Sequence, residues 1–292
     1  MPNIEYSPEK NIKEYIKQYV DITKAYFELL IKITTLDVFK EQVGHEVQHK
    51  FVIVQVGDNP ASSTYVRGKV KDCEEVGINV DVLHLPETIS QEDLALEICK
   101  LNTSPSVTGY IVQLPLPEHI DEKAIKDIIS KEKDADGFKA TTGDAIQPCT
   151  PSGIIYFLQS IKFNFESKNA LVIGRSDIVG KPMARMLLEQ NCSVTVCHSK
   201  TPKEKLKQFI ENADLIVCAV GKQHMLTNEY NYKNDCVIVD VGINRDENGK
   251  LCGDCDENLP VAIQTPVPGG VGLLTRLVLL SNFLKLIAKQ CA

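Results

Sequence analysis

Apolar residues along the chain form short continuous runs. Between the runs, apolar positions recur every third or fourth residue. FVIVQV at 51–56 reads as a buried strand, and strands follow at 80–85 and 107–114. Farther on, 170–173, 193–197, 215–219 and 236–241 repeat the pattern. The helical spacing predicts one or two amphipathic helices from Asn11 to about Gln42, and one over Ala61–Val76. Further helices are predicted from Ser90, over about Asp121–Lys131, from Thr150-Pro151, after Gly180, and over Leu273 to about Lys289. Strands that alternate with helices predict a parallel α/β architecture. The alternation restarts near residue 150, which predicts two domains. Residues 1–150, with the C-terminal helix 273–292 packing back on them, form an N-terminal α/β domain. Residues 151–272 form a Rossmann-like dinucleotide-binding domain. Ligands of such sheets gather at the carboxyl ends of the strands. Gln113, the 134–153 loop and the start of the 61–76 helix all fall there.

That helix carries its own punctuation. Asn59 suits the N-cap, Pro60 the first helical position and Gly77 the stop. At ~100° per residue, Tyr65, Val66, Val70, Cys73 and Val76 share one face, and Arg67, Lys71, Asp72, Glu74 and Glu75 lie on or near the other. Lys69 breaks the pattern. It falls on the apolar face, one turn after Tyr65 and one turn before Cys73. A lysine there must snorkel to water, find a partner, or titrate abnormally. Snorkelling is the ordinary outcome; a working lysine beside a tyrosine is the functional one.

Composition narrows the classes. In 292 residues, 43% are hydrophobic and 24% charged, enough for two packed cores. No run of 18 apolar residues predicts a membrane span, and the N-terminal stretch is too charged for a secretory signal. A net charge of −7 argues against general affinity for nucleic acid or membranes. Ten scattered cysteines suit buried thiols in a reducing cytoplasm. Cys252 and Cys255 form one CxxC. Without a second pair it predicts no metal site, and a chance pair in a hairpin is the simpler reading.

Three glycine-bearing loops are candidates for binding. Gly174-Arg175-Ser176-Asp177-Ile178-Val179-Gly180 turns a strand into a helix, but Ser176 stands where the usual G-x-G-x-x-G has its middle glycine. Alone it is equally well a tight turn with no phosphate. Gly221 follows the third strand of the same half. Thr265-Pro266-Val267-Pro268-Gly269-Gly270-Val271-Gly272 has two prolines and three glycines in eight residues, a constrained backbone just before an apolar helix.

Taken in order, GDNPASSTYVRGK, GYIVQLPLPEHI, KDADGF, PCTPSG, VIGRSDIVGKPMA, VTVCHSKT, ADLIVCAVGK, VIVDVGIN and TPVPGGVG resemble the bifunctional methylenetetrahydrofolate dehydrogenase/methenyltetrahydrofolate cyclohydrolases. The resemblance spans about Val54 to Leu284. It implies an enzyme that oxidises 5,10-methylenetetrahydrofolate with NADP⁺ and hydrolyses the methenyl product to 10-formyltetrahydrofolate. It implies that Lys69 moves protons, that Gln113 orients it, and that Tyr65 stacks on the folate. Asp136 would bind the pterin, and Pro268, Gly269 and Gly270 would face the folate. Gly174, Arg175, Ser176, Ser199, Gly221 and Ile243 would hold the cofactor. A homodimer is implied as well. Two places depart from the family pattern. Leu273 and Leu274 stand where it has proline and methionine, and Lys139-Ala140-Thr141-Thr142 replaces a longer loop with His-Pro and asparagine.

The residues themselves favour NADP⁺ over NAD⁺. NAD sites usually carry a carboxylate at the end of the second strand. Here that strand ends in His198-Ser199-Lys200-Thr201, with Ser199 to donate and Arg175 to pair with a 2′-phosphate. The alternatives are a dehydrogenase without cyclohydrolase activity, a non-catalytic folate or dinucleotide binder, and a two-domain dehydrogenase of a hydroxy acid or shikimate-like substrate. Lys69 with Gln113 and Asp136 speaks against the first two. Formation of methenyltetrahydrofolate would exclude the last.

Overall fold

The computed structural model describes residues 6–7, 11–35 and 49–290. Helix α1 spans Ile12–Thr35. The continuation of the predicted helical stretch to Gln42 lies outside the described residues. The chain folds into two compact units, each described by itself here. One takes residues up to Ile22 with Thr150–Val278, and the other takes Thr23–Cys149 with the residues from Leu279 on. The sequence expectation placed all of 1–150 together and gave 273–292 to the first domain. In the structure the start of α1 and the first turns of the C-terminal helix belong with the second.

In the unit built on Thr23–Cys149, β1 (Lys50–Val56) is the centre of a parallel sheet. β2 (Asn79–Leu85) and β3 (Val107–Val112) flank it, with Phe51 opposite Val80 and Ile53 opposite Ile111. The chain reverses direction across the sheet between β2 and β3, so a crevice opens at the carboxyl ends of β1 and β3. β1 and β3 are buried almost throughout, whereas β2 is a largely exposed edge. Helices α2 (Pro60–Glu75) and α3 (Gln91–Thr103) provide the crossovers, and α4 (Glu122–Ile128) follows β3. The predicted punctuation of α2 is present. Asn59 Oδ1 accepts from the Ala61 and Ser62 N–H groups, Pro60 opens the helix, and the chain turns out of it at Gly77. Ser90 caps α3 by accepting from Asp93 N at 3.0 Å.

Helix α8 (Val271–Gln290) is long and apolar enough, by length and composition, to cross a bilayer. Leu279, Leu280, Phe283, Leu286 and Ile287 are instead buried. The Phe283 ring lies 5.0 Å from that of Phe51, and Gln290 Nε2 donates to Thr108 O at 2.8 Å. The C-terminal helix thus packs on the first sheet.

Asp72 corrects the helical-wheel reading. It was expected near the solvated side of α2, yet it is buried and its Oδ1 takes Lys24 Nζ of α1 at 2.5 Å. Glu75 holds the same ammonium at 2.7 Å. Burial works against the Lys24 charge, but the two carboxylates outweigh it and raise its pKa, so the cation persists. Helix periodicity cannot reveal a partner supplied by another helix.

The second unit holds a five-stranded parallel sheet in the order β10-β7-β6-β4-β5. Its strands are β4 (Asn169–Ile173), β5 (Ser193–Cys197), β6 (Leu215–Cys218), β7 (Val237–Asp240) and β10 (Ile263–Gln264). β8 (Asn244–Arg245) and β9 (Leu251–Cys252) form a small antiparallel hairpin. Helix α5 (Cys149–Ser160) leads into this sheet; α6 (Gly180–Glu189) and α7 (Lys203–Asn212) cross over it. α5 begins one residue before the expected Thr150 cap. Pro151 therefore sits in the first turn, where a missing N–H costs nothing. The direction switches between β5 and β6, on either side of β4. The turns after β4 and β6 consequently flank one crevice.

Candidate active site and dinucleotide site

Lys69 is 8% exposed, and it does not snorkel. Its Nζ donates to Gln113 Oε1 at 3.0 Å. Gln113 directly follows β3. Its backbone N–H donates to Val54 O of β1 at 2.8 Å, and its Nε2 donates to Leu114 O at 2.7 Å. With its amide N–H₂ engaged, the side chain must present its oxygen to the ammonium. Tyr65 lies half-buried one turn before Lys69 on the same helix.

Asp136 completes this group from the 134–149 loop. It is half-buried, and burial raises its carboxyl pKa, while the Lys69 charge and a hydrogen bond with Cys149 work against the rise. Three residues that the sequence reading did not single out hold this loop. Asp134 is buried, and its oxygens accept from Gly137 N and Lys139 N, each at 2.9 Å. Asn282 of α8, also buried, donates to Ala135 O at 3.0 Å and Gln147 O at 2.9 Å. Cys149 Sγ contacts Ala135 O and Asn282 Nδ2, both at 3.5 Å. Gly137 has φ +74, and a Cβ there would lie 2.5 Å from the Gln147 carbonyl, so no other residue fits the turn. One asparagine inside a largely apolar helix was a readable signal for Asn282. Cys149 offered none.

In the other unit Gly174 ends β4 with φ +124, and a Cβ on it would lie 2.2 Å from Ala219 O. The turn and the end of β6 can approach this closely only without a side chain. Arg175 and Ser176 are exposed, and Ser176 Oγ accepts from Val179 N at 3.2 Å and Gly180 N at 3.3 Å, closing the turn that leads into α6. Ser176 thus fills the role its side chain allows where the usual motif has glycine. Ser199 and Gly221 are exposed beyond β5 and β6, and Ile243 is exposed beyond β7. A tight turn, a helix N-terminus and an exposed arginine fit a phosphorylated dinucleotide. Pro268, Gly269 and Gly270 belong to this same unit, with Pro268 exposed and Gly270 buried. Cys252 and Cys255 do not act together. Cys252 Sγ accepts from Gln223 at 2.9 Å, whereas Cys255 pairs with Cys218.

Comparison with known proteins shows the family. Residues 10–136 match the catalytic domain of tetrahydrofolate dehydrogenase/cyclohydrolase, and residues 148–291 match its NAD(P)-binding domain. The chain belongs to the tetrahydrofolate dehydrogenase/cyclohydrolase family. Among its relatives, the bifunctional protein FolD of Anaeromyxobacter dehalogenans is 47% identical over 257 residues, covering 84% of this chain and 90% of that one. The crystal structure of the bifunctional FolD enzyme from Campylobacter jejuni has a TM-score of 0.83 at 39% identity, covering 93% of this chain and 98% of that one. The Trypanosoma brucei enzyme, solved with NADP and an inhibitor, has a TM-score of 0.83 at 29% identity and covers 99% of both chains.

The two departures from the family pattern sit differently: Leu273 is half-buried and Leu274 buried, whereas Thr141 and Thr142 are exposed. Leu274 is buried, and its backbone lies against Gly153 of α5. The 139–142 segment is a compact turn in which Asp144 Oδ2 accepts from Thr141 N at 2.6 Å and pairs with Lys131 at 2.9 Å.

The Asp134 carboxyl is pushed up to about 6, chiefly by burial; the Lys139 and Gly137 N–H bonds oppose the rise and the Asp136 charge adds to it. Its folded pKa is above its unfolded value, so the folded state holds the proton more tightly. The resulting stabilisation is complete below the ordinary carboxylate value of 3.8 and is lost as pH rises through about 6. Asp134→Asn, which does not titrate, should therefore gain stability relative to wild type as pH rises across that window, measured by urea unfolding. A stability difference that is the same at pH 4 and pH 7 would refute the assignment.

Proposed function

We propose that this chain oxidises 5,10-methylenetetrahydrofolate with NADP⁺ to the methenyl compound and hydrolyses that to 10-formyltetrahydrofolate. Family membership supports the reaction class. The observation that carries the hydrolytic half is the buried Lys69 ammonium on a neutral glutamine. A carboxylate partner would tie the proton down, whereas Gln113 orients the amine and leaves it able to exchange one. In hydrolysis water adds to the methenyl carbon and its oxygen loses both protons; one reaches the folate nitrogen as its bond to that carbon breaks, and the other is released to solvent. Lys69 moves the proton that reaches the nitrogen. Tyr65 stacks on the folate, and Asp136 accepts from the donor edge of the pterin, with Pro268, Gly269 and Gly270 as further folate contacts. NADP⁺ supplies the hydride acceptor. Gly174 and Ser176 shape the turn that holds it, Arg175 and Ser199 bind its 2′-phosphate, and Gly221 and Ile243 bound its nicotinamide end.

Lys69→Met keeps an apolar shape on that face. It should lower methenyltetrahydrofolate hydrolysis by at least ~10², the usual scale for lost general acid–base help. Arginine should not rescue, because it keeps its proton at neutral pH. Near-normal hydrolysis by the methionine variant, followed by loss of methenyl absorbance, would sink the role.

Arg175→Ala should raise the NADP⁺ KM sharply and leave the weak NAD⁺ reaction nearly unchanged. Equal loss with both cofactors, or a wild type indifferent to the 2′-phosphate, would overturn the assignment.

The reading extends to a cytoplasmic homodimer. Edge strand β5 exposes Val196 at 39%, and Leu188 of α6 is 64% exposed, which suits a second copy better than solvent. Free thiols such as Cys73 and Cys236 suit a reducing compartment. Sedimentation equilibrium should return twice the chain mass; a monomer at micromolar concentration would refute the dimer.

A further inference from the structure

Helix α8 reaches the loop around Asp136 with two donor side chains. Asn282 Nδ2 donates to Ala135 O at 3.0 Å and to Gln147 O at 2.9 Å, and one turn on Lys285 Nζ donates to Ala145 O at 3.1 Å. Asn282 is 0% exposed, and its other amide atom, Oδ1, is buried with no hydrogen-bond partner. An unpaired buried acceptor costs stability, and a leucine of the same branched shape would carry no such cost. What the amide contributes therefore lies in its two N–H groups.

Those groups act on the geometry of one residue. Asp136 is joined to its neighbours by two rigid peptide planes. The second plane contains the Asp136 carbonyl and the Gly137 N–H. Cys149 N donates to that carbonyl at 3.2 Å, and the Gly137 N–H donates to Asp134 Oδ1 at 2.9 Å. The first plane contains the Ala135 carbonyl. Its partners are Asn282 and the Cys149 thiol, a weak donor at 3.5 Å. With both planes held, φ and ψ of Asp136 are set, and χ1 and χ2 alone remain to aim the carboxylate. The second bond of Asn282 holds the Gln147 carbonyl, which lies 2.5 Å from where a Cβ on Gly137 would be. One side chain thus ties the two ends of the loop together across Asp136.

We infer that Asn282 is a positioning residue for the substrate: by holding the Ala135 peptide from the C-terminal helix, it aims the Asp136 carboxylate at the donor edge of the pterin and so sets folate affinity. The inference rests on the reading of Asp136 as the pterin carboxylate. It gives part of folate recognition to a side chain sealed inside the fold.

Calorimetric titration of the full-length protein with 5-formyltetrahydrofolate tests this as a double-mutant cycle, with NADP⁺ present. That compound is a stable reduced folate with the same pterin edge. Asn282→Leu keeps the branched shape and removes both donors. It should bind the folate about tenfold more weakly, the scale of one misdirected hydrogen bond to a charged group, and bind NADP⁺ within about twofold of wild type. Asp136→Asn should lose at least as much folate affinity. In the Asp136→Asn background, Asn282→Leu should cost less than about twofold, because its effect passes through a carboxylate already gone. A general loosening of the site would instead weaken binding by the same factor in both backgrounds, and that additivity overturns the inference. So does a folded Asn282→Leu protein with wild-type affinity. Circular dichroism and thermal unfolding show which variants are folded. If the leucine variant is not, Asn282→Asp, with the same shape and its donors replaced by acceptors, enters the same cycle, and the same two outcomes decide. If Asp136→Asn binds the folate like wild type, the pterin reading of Asp136 falls and the inference with it. If Asp136→Asn weakens binding and Asn282→Leu does not, the inference alone falls.

Discussion

A buried ammonium facing an uncharged amide is the constraint on which the catalytic unit depends. The Lys69–Gln113 contact joins α2 to the end of β3, and Gln113 is itself fixed to β1 through the Val54 carbonyl. Three elements must be in place before the amine has its acceptor. The acceptor has to be neutral, because a carboxylate at 3.0 Å would hold the charge too firmly for proton exchange. Asp136, which feels the Lys69 charge, lies in a loop whose backbone is held by Asn282 and Asp134. Lys69 lowers the tendency of Asp136 to hold a proton without neutralising it in a direct pair.

The two units solve the placement of their sites in the same way. Each has a parallel sheet whose strand order reverses about an inner strand, β1 in one and β4 in the other. Gln113 leaves the sheet beside β1, and the Gly221 loop leaves beside β4. In both cases a buried side chain fixes a loop by its backbone. Asn282 takes the Ala135 and Gln147 carbonyls; Asp254 takes the N–H groups of 220–222. A donor fixes one loop and an acceptor the other.

The parts legible in the sequence were those governed by local rules. Asn59, Pro60 and Gly77 mark α2 because caps act within a few residues. The strands were legible as apolar runs, and Lys69 as the one charge on an apolar face. Other features were hidden because their cause lies far along the chain. Asp72 is drawn into the interior by Lys24, 48 residues away, and no periodicity within α2 contains that partner. Cys149 and Asp134 owe their roles to a loop that only the folded chain closes. Asp254 sits in a short polar stretch whose composition resembles an exposed turn, and only the approach of residues 220–222 makes it a buried anchor.

The Asp136 loop has a dependence on the order of synthesis. Its Gln147 carbonyl is held by Asn282, 135 residues later, and Phe51 of the central strand waits still longer for Phe283. A ribosome has by then made the whole dinucleotide sheet, whose strands all fall between Asn169 and Gln264. Domains usually fold in the order they emerge. Here the unit whose sheet is made first cannot be finished first. Its core stays open at one face until α8 leaves the exit tunnel, and the nascent catalytic half must remain soluble for that interval.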